Sequence, residues 1–175
     1  MNQETQDYIN RLGEAFVDRY QIQIPVTASA LETIVQSLGG TIEEMNNFDS
    51  VLKPTVRKTG ENSFVLRIES GLPARQKRSA LARELGHLIL HMGYLISANT
   101  WSQQDISCFR YFGRPEQEYQ ANTFAEAMFM PQHQYMRLVQ LLSENNHIHP
   151  RLLAEAFDVT TAMAVQRGKA LRILQ

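Results

Sequence analysis

The sequence predicts an α+β fold. Three observations carry this: apolar residues at helical spacing near the start, three short β-like runs between residues 42 and 68, and a long helical segment from near Ala74 to His91. Tyr8, Leu12, Ala15, Phe16 and Tyr20 predict a first helix that buries one stripe. Ile24-Pro25-Val26 breaks that pattern, and Thr27 or Ser29 caps a second helix ending at Gly39-Gly40. Ile42 to Met45, Val51 to Arg57 and Phe64 to Ile68 read as strands, the last two joined by the hairpin turn Thr59-Gly60-Glu61-Asn62.

The long helix carries the chemistry and stops before Gly93, a residue suited to a C-cap. Tyr94 to Gly113 shows no clear period, and a loop of that length is often functional. Pro115 opens another helix that ends at Met130-Pro131, and a further one continues to about Ser143. Two short helices, 150–157 and 160–173, close the chain around Asp158-Val159-Thr160. The polar stretch from Ser143 to Pro150 predicts the boundary between a main domain, 1–143, and a C-terminal helical region, 144–175.

Composition excludes several classes. With 43% hydrophobic residues in 175, the chain can bury a core, so wholesale disorder is excluded. A net charge of −1 argues against a general affinity for nucleic acid or acidic membranes. The single cysteine, Cys108, cannot form an internal disulfide. The start Met1-Asn2-Gln3-Glu4-Thr5-Gln6 lacks the basic and apolar parts of a signal peptide, and no apolar run approaches ~20 residues. The expectation is a soluble cytoplasmic protein that does not enter membranes.

One motif stands out. Arg83-Glu84-Leu85-Gly86-His87 has the spacing of His-Glu-x-x-His, in which two histidines on one helix face hold zinc and the glutamate is the general base. Glu84 and His87 stand where they should, but Arg83 occupies the first ligand position. Arginine keeps its proton near neutral pH and has no lone pair for a metal.

Around this motif, Arg75 through His91 resembles the active-site helix of the ImmA/IrrE family of metallopeptidases. Glu118-x-x-Ala121-Asn122-x-Phe124-Ala125, closing with Met130-Pro131, is similar to that family's second helix. Leu153 to Thr160, followed by Val165 and Arg167, resembles its C-terminal helix pair. The resemblance implies a zincin-like domain, with a small antiparallel sheet and an active-site helix pair, followed by a helix-turn-helix-like region. It also implies action on a helix-turn-helix repressor or antitoxin, in stress responses, mobile elements and phage defence.

Carried over by position, the resemblance puts Arg83 at the first histidine ligand, Glu84 at the catalytic base, His87 at the second ligand and Glu118 at the third. Three protein ligands leave zinc an open position for water, which the metal acidifies. With only His87 and Glu118 left, zinc is expected to bind weakly or not at all. Arg83 is expected instead to pair with Glu84, Glu118 or both. The leading reading is therefore a regulator with impaired or lost proteolysis, a pseudoenzyme of toxin–antitoxin or prophage type.

The alternative is an active zinc endopeptidase that cleaves a transcriptional repressor. It requires either that Arg83 be an engineered replacement of histidine or that a shifted site use His87, His91 and a carboxylate, since these histidines also lie four residues apart. The ordinary reading of His91 is a packed or hydrogen-bonded residue at the helix end.

Other candidates are weaker. His133, His147 and His149 lack diagnostic metal spacing, and Cys108 reads as a small buried hydrophobe. Tyr94, Trp101, Phe109, Tyr111 and Phe112 read as a local cluster ahead of a cleft wall. Arg167, Lys169 and Arg172 give the last helix some basic character, but DNA binding calls for a broader basic face, so docking is favoured.

Overall fold

The computed structural model describes residues 1–46, 55–107, 113–143 and 148–174. Within them run the helices α1 (Gln3–Arg19) and α2 (Ala28–Ser37), the strands β1 (Gly40–Met45), β2 (Val56–Gly60) and β3 (Ser63–Glu69), then α3 (Ala74–Leu90), α4 (Ala98–Ser102), α5 (Pro115–Phe129), α6 (Gln132–Leu142), α7 (Pro150–Ala156) and α8 (Thr161–Ala170). The α+β expectation holds. Val51 to Pro54, Cys108, Phe109, Tyr111, Phe112 and His147 lie outside the described residues. No helix among the described residues is long and apolar enough to cross a membrane.

The chain divides into two compact units, one comprising 28–122 with Met1, the other 2–27 with 123–175. The division thus falls inside α5, whereas the sequence pointed to 143/144, beside residues outside the described set.

In the first unit the sheet has the order β1-β3-β2. β2 and β3 form the expected antiparallel hairpin, with Val56 opposite Leu66. β1, however, lies parallel to β3, pairing Gly40 with Phe64 through Met45 with Glu69, so the sheet is mixed and not wholly antiparallel. The reason is connectivity: β3 inserts between the other two strands, so the hairpin turn leaves it running in the same direction as β1. Phe64, Val65 and Leu66 in succession are buried, as suits a central strand covered on both faces. α2 and α3 pack against the sheet, and Leu31, Val35, Leu66, Leu81, Leu85 and Leu88 are fully buried there.

From Tyr94 to Ser107 the segment after α3 is more regular than its lack of period implied. Ser97 caps α4, accepting from the Thr100 amide, and Trp101 is buried. Phe64, Tyr94 and Trp101 stack edge to face with centroids 5.1 and 4.7 Å apart. Trp101 Nε1 donates to Glu61 O (2.6 Å), and Lys58 Nζ donates to Trp101 O (2.8 Å). Tyr94 and Trp101 therefore belong to the core cluster, not to a cleft wall.

In the second unit α1 buries Ile9, Asn10, Gly13, Phe16 and Val17, while Tyr8 and Ala15 are exposed. The buried stripe is rotated from the expected one because Gly13 sets the contact. A Cβ there would meet Ala127 Cβ at 2.8 Å and Phe124 O at 2.9 Å. The close approach brings Phe16 onto Phe124, edge to face at 5.8 Å. Tyr135 stacks on Phe157 and donates to Ala164 O (2.8 Å), tying α6 to α7 and α8.

Burial lifts the Glu126 carboxyl to about 7, against a smaller downward pull from Arg167. A carboxyl with a raised folded-state pKa holds its proton more tightly folded than unfolded. Its contribution to stability is full below the unfolded value near 4.5 and is lost as pH rises through about 7. Glu126→Gln is therefore expected to flatten the fall in stability between these pH values, a span on the order of 3 kcal/mol. Urea denaturation at a series of pH values checks it; an equal pH slope in both proteins would contradict it.

Candidate functional site

The site belongs to the first unit and rests on one helix–helix contact. α3 runs uncapped by any side chain from Pro73 and closes around Gly93, whose φ of +80° suits glycine; Tyr94 N donates back to Leu88 O across it. From Glu84 to Ile89 every residue of α3 is buried. Gly86 permits this, since a Cβ there would lie 3.0 Å from Ala121 O and 3.1 Å from Ala121 Cα. The close approach of α3 to α5 at Gly86 and Ala121 carries Glu118, one helical turn earlier, to His87.

The structure brings Arg83, Glu84, His87, His91 and Glu118 together. Arg83 donates to Glu84 Oε1 from Nη2 at 3.0 Å and from Nε at 3.3 Å. The Glu84 side chain is 2% exposed and that of Arg83 40%, so the guanidinium covers a buried carboxylate. Glu84 Oε2 makes no regular hydrogen bond among the described residues. His87 Nε2 lies 3.3 Å from Glu118 Oε1. His87 Nδ1 is 3.0 Å from His91 Nδ1, and His91 Nε2 is 2.9 Å from Gln120 Oε1. The sequence reading did not single out Gln120; its place two residues after Glu118 was the available signal.

Electrostatics follow from burial. Desolvation raises the Glu84 pKa and Glu118 adds to the rise, while the Arg83 charge and the approach of Thr55 oppose it. Burial pushes His87 down to about 3, with His91 and Arg83 adding to the effect. His91 is lowered by burial, partly offset by its hydrogen bond to Gln120. Glu118 is raised by burial against the pull of Arg83. Both imidazoles are therefore neutral near pH 7.

One pair of side chains has the spacing that two zinc ligands need. Two ligands of a tetrahedral zinc with bonds of ~2.0–2.1 Å stand ~3.3–3.4 Å apart, and His87 Nε2 and Glu118 Oε1 are 3.3 Å apart. The third donor is the difficulty. At position 83 a guanidinium supplies positive charge where a ligand should supply a lone pair, and it is committed to Glu84. Among the described residues no group of three His, Cys, Asp or Glu side chains is arranged to hold a metal. The residues present do not fit a zinc held by three protein ligands.

The remaining candidates separate from this centre. His133 and His149 are exposed. Arg167 does not face solvent as a DNA contact would. It is fully buried in the second unit and donates to Met130 O (2.9 Å), Asn10 Oδ1 (2.7 Å) and Glu14 Oε1 (2.8 Å). Arg172 donates to Gln3 Oε1 (2.7 Å), which leaves the basic face of α8 narrower than the sequence implied.

The fold and the helix pair together define a peptidase-type α+β domain. The chain belongs to the M78 peptidase family, matching the model of the IrrE N-terminal-like domain over residues 41–169. Among solved structures it is similar in fold to a Mycobacterium tuberculosis transcriptional regulator, at a TM-score of 0.58 and 14% identity, over 94% of this chain and 50% of that one. The chain thus spans half the length of that regulator. No curated protein matched the sequence.

Proposed function

We propose that this chain is a metallopeptidase-fold regulator that acts by binding a helix-turn-helix repressor or antitoxin, with zinc-dependent proteolysis impaired or lost. The observation that carries the reading is the Arg83–Glu84 pair, Nη2 to Oε1 at 3.0 Å over a carboxylate that is 2% exposed. A general base must be free to reach the proton it takes. Here the carboxylate that would serve is already bound to a cation, and that cation stands in a ligand's place. The fold likeness to a transcriptional regulator supports a regulatory role.

A second reading, an active zinc endopeptidase that cleaves such a repressor, draws support from the ligand-like spacing of His87 and Glu118. Its shifted form, using His91, is disfavoured because both His91 nitrogens already carry hydrogen bonds. Glu84→Gln separates the readings. With binding alone at work, repressor level and reporter output in cells stay unchanged by this substitution; repressor that persists only in the Glu84→Gln strain would show that hydrolysis is the function.

A further inference from the structure

We propose that a cavity in the second unit binds a small zwitterion, a free α-amino acid, with its carboxylate against Asn10 and Arg11 and its ammonium against Glu14. The cavity measures about 410 Å³ and lies between α1, the start of α6 and the end of α8. That volume is in the range of small-molecule sites. Asp7 and Glu14 line it together with Arg11 and Arg172, so its walls carry two carboxylates and two guanidiniums. An anion alone would face the carboxylates, and a cation alone the guanidiniums. An apolar molecule would strip water from all four. A molecule with both charges satisfies both.

Arg167 sets the floor of the cavity. Asn10 is 8% exposed, and its Oδ1 accepts from Arg167 Nη1 at 2.7 Å. The group it leaves for a ligand is the amide nitrogen Nδ2, which donates. Glu14 Oε1 accepts from Arg167 Nη2 (2.8 Å) and from the Gln132 amide (2.9 Å). Its other oxygen, Oε2, is left as an acceptor suited to an ammonium. Asn10 and Glu14 are four residues apart on α1, so this donor and acceptor share one face with Cβ atoms about 5–6 Å apart. An α-amino acid carries its acceptor and donor on neighbouring atoms and so bridges the two. Arg11, exposed and next to Asn10, adds a charged donor for the carboxylate. Asp7 and Arg172 are engaged elsewhere on the rim: Gln3 Nε2 donates to Asp7 Oδ1 (2.8 Å), and Gln3 Oε1 accepts from Arg172 Nη2 (2.7 Å). The site lies wholly in the second unit and is independent of whether Glu84 acts as a base.

Calorimetric titration of the full chain with the common free L-amino acids tests this. At least one is expected to bind with a Kd at or below about 1 mM and to raise the melting temperature. Its decarboxylated amine and its deaminated acid, each lacking one of the two charges, are expected to bind at least about 10-fold more weakly. Arg11→Gln, at an exposed position, is expected to weaken binding by a similar factor while the melting temperature of the unligated chain holds. Asn10→Asp keeps an oxygen for Arg167 but turns the donor of the floor into an acceptor, so it is expected to abolish binding. Should Asn10→Asp fail to fold, Arg11→Gln and the two analogues still decide. The absence of any amino acid that binds at that strength would overturn the proposal. So would an analogue lacking one charge that binds as tightly as its parent, or full affinity in either folded variant.

Discussion

Replacing Arg83 with histidine is expected to convert the chain from one that binds zinc weakly into one that holds about one zinc per chain. Three features make the effect large. His87 Nε2 and Glu118 Oε1 already stand 3.3 Å apart, so two ligands need no rearrangement. A histidine at 83 lies four residues before His87 on the same face of α3. The substitution also removes a guanidinium whose charge opposes a dication in a buried site. Loss of an outer partner of a metal ligand costs ~10–100-fold in affinity; restoring a ligand while removing a cation should exceed that, at more than about 100-fold. Competition against a chromophoric chelator measures it. An unchanged affinity would mean that something other than Arg83 keeps the metal out.

Arg167→Met is expected to be among the most destabilising single changes in the second unit, at ~3–5 kcal/mol. The guanidinium is fully buried and holds Met130 O, Asn10 Oδ1 and Glu14 Oε1 at 2.7–2.9 Å. Methionine keeps the bulk but leaves the Glu14 carboxylate, an amide oxygen and a backbone carbonyl without their donor. Lysine is expected to rescue only part of the loss, since one ammonium cannot reproduce the planar fork. Chemical denaturation reads both variants. A loss below about 1 kcal/mol for Arg167→Met would place this residue's role elsewhere, and the same protein can be tested for salt-dependent DNA binding.

Much of the site could be read in the sequence because helices impose their own ruler. Glu84, His87 and His91 lie on α3 at spacings that put them on one face, and Gly93 ends the helix as its conformational freedom predicted. Glu118 was legible through the Ala121-Asn122-x-Phe124-Ala125 frame, and Ala121 proves to be the residue against which Gly86 packs. Relations that depend on neighbours far along the chain were not legible. Periodicity finds strands but cannot tell that β3 inserts beside β1, so the parallel pairing emerged only in space. The stripe of α1 was misplaced because Gly13, invisible to an apolar count, is its closest contact. Arg167 read as a surface cation because charge says nothing of burial; the small residues Ala164 and Gly168 beside it, both buried, were the missed signal. Gln120 was overlooked because an amide acquires meaning only from the imidazole it faces.

Under the proposed function, Arg83 stands where a ligand should and so keeps zinc out. Zinc content tests it most directly: the unmodified chain, purified without chelator, dialysed against zinc-free buffer and measured by elemental analysis. Far less than one zinc per chain is expected, with no gain in melting temperature when equimolar zinc is added. One zinc per chain that survives dialysis would contradict it.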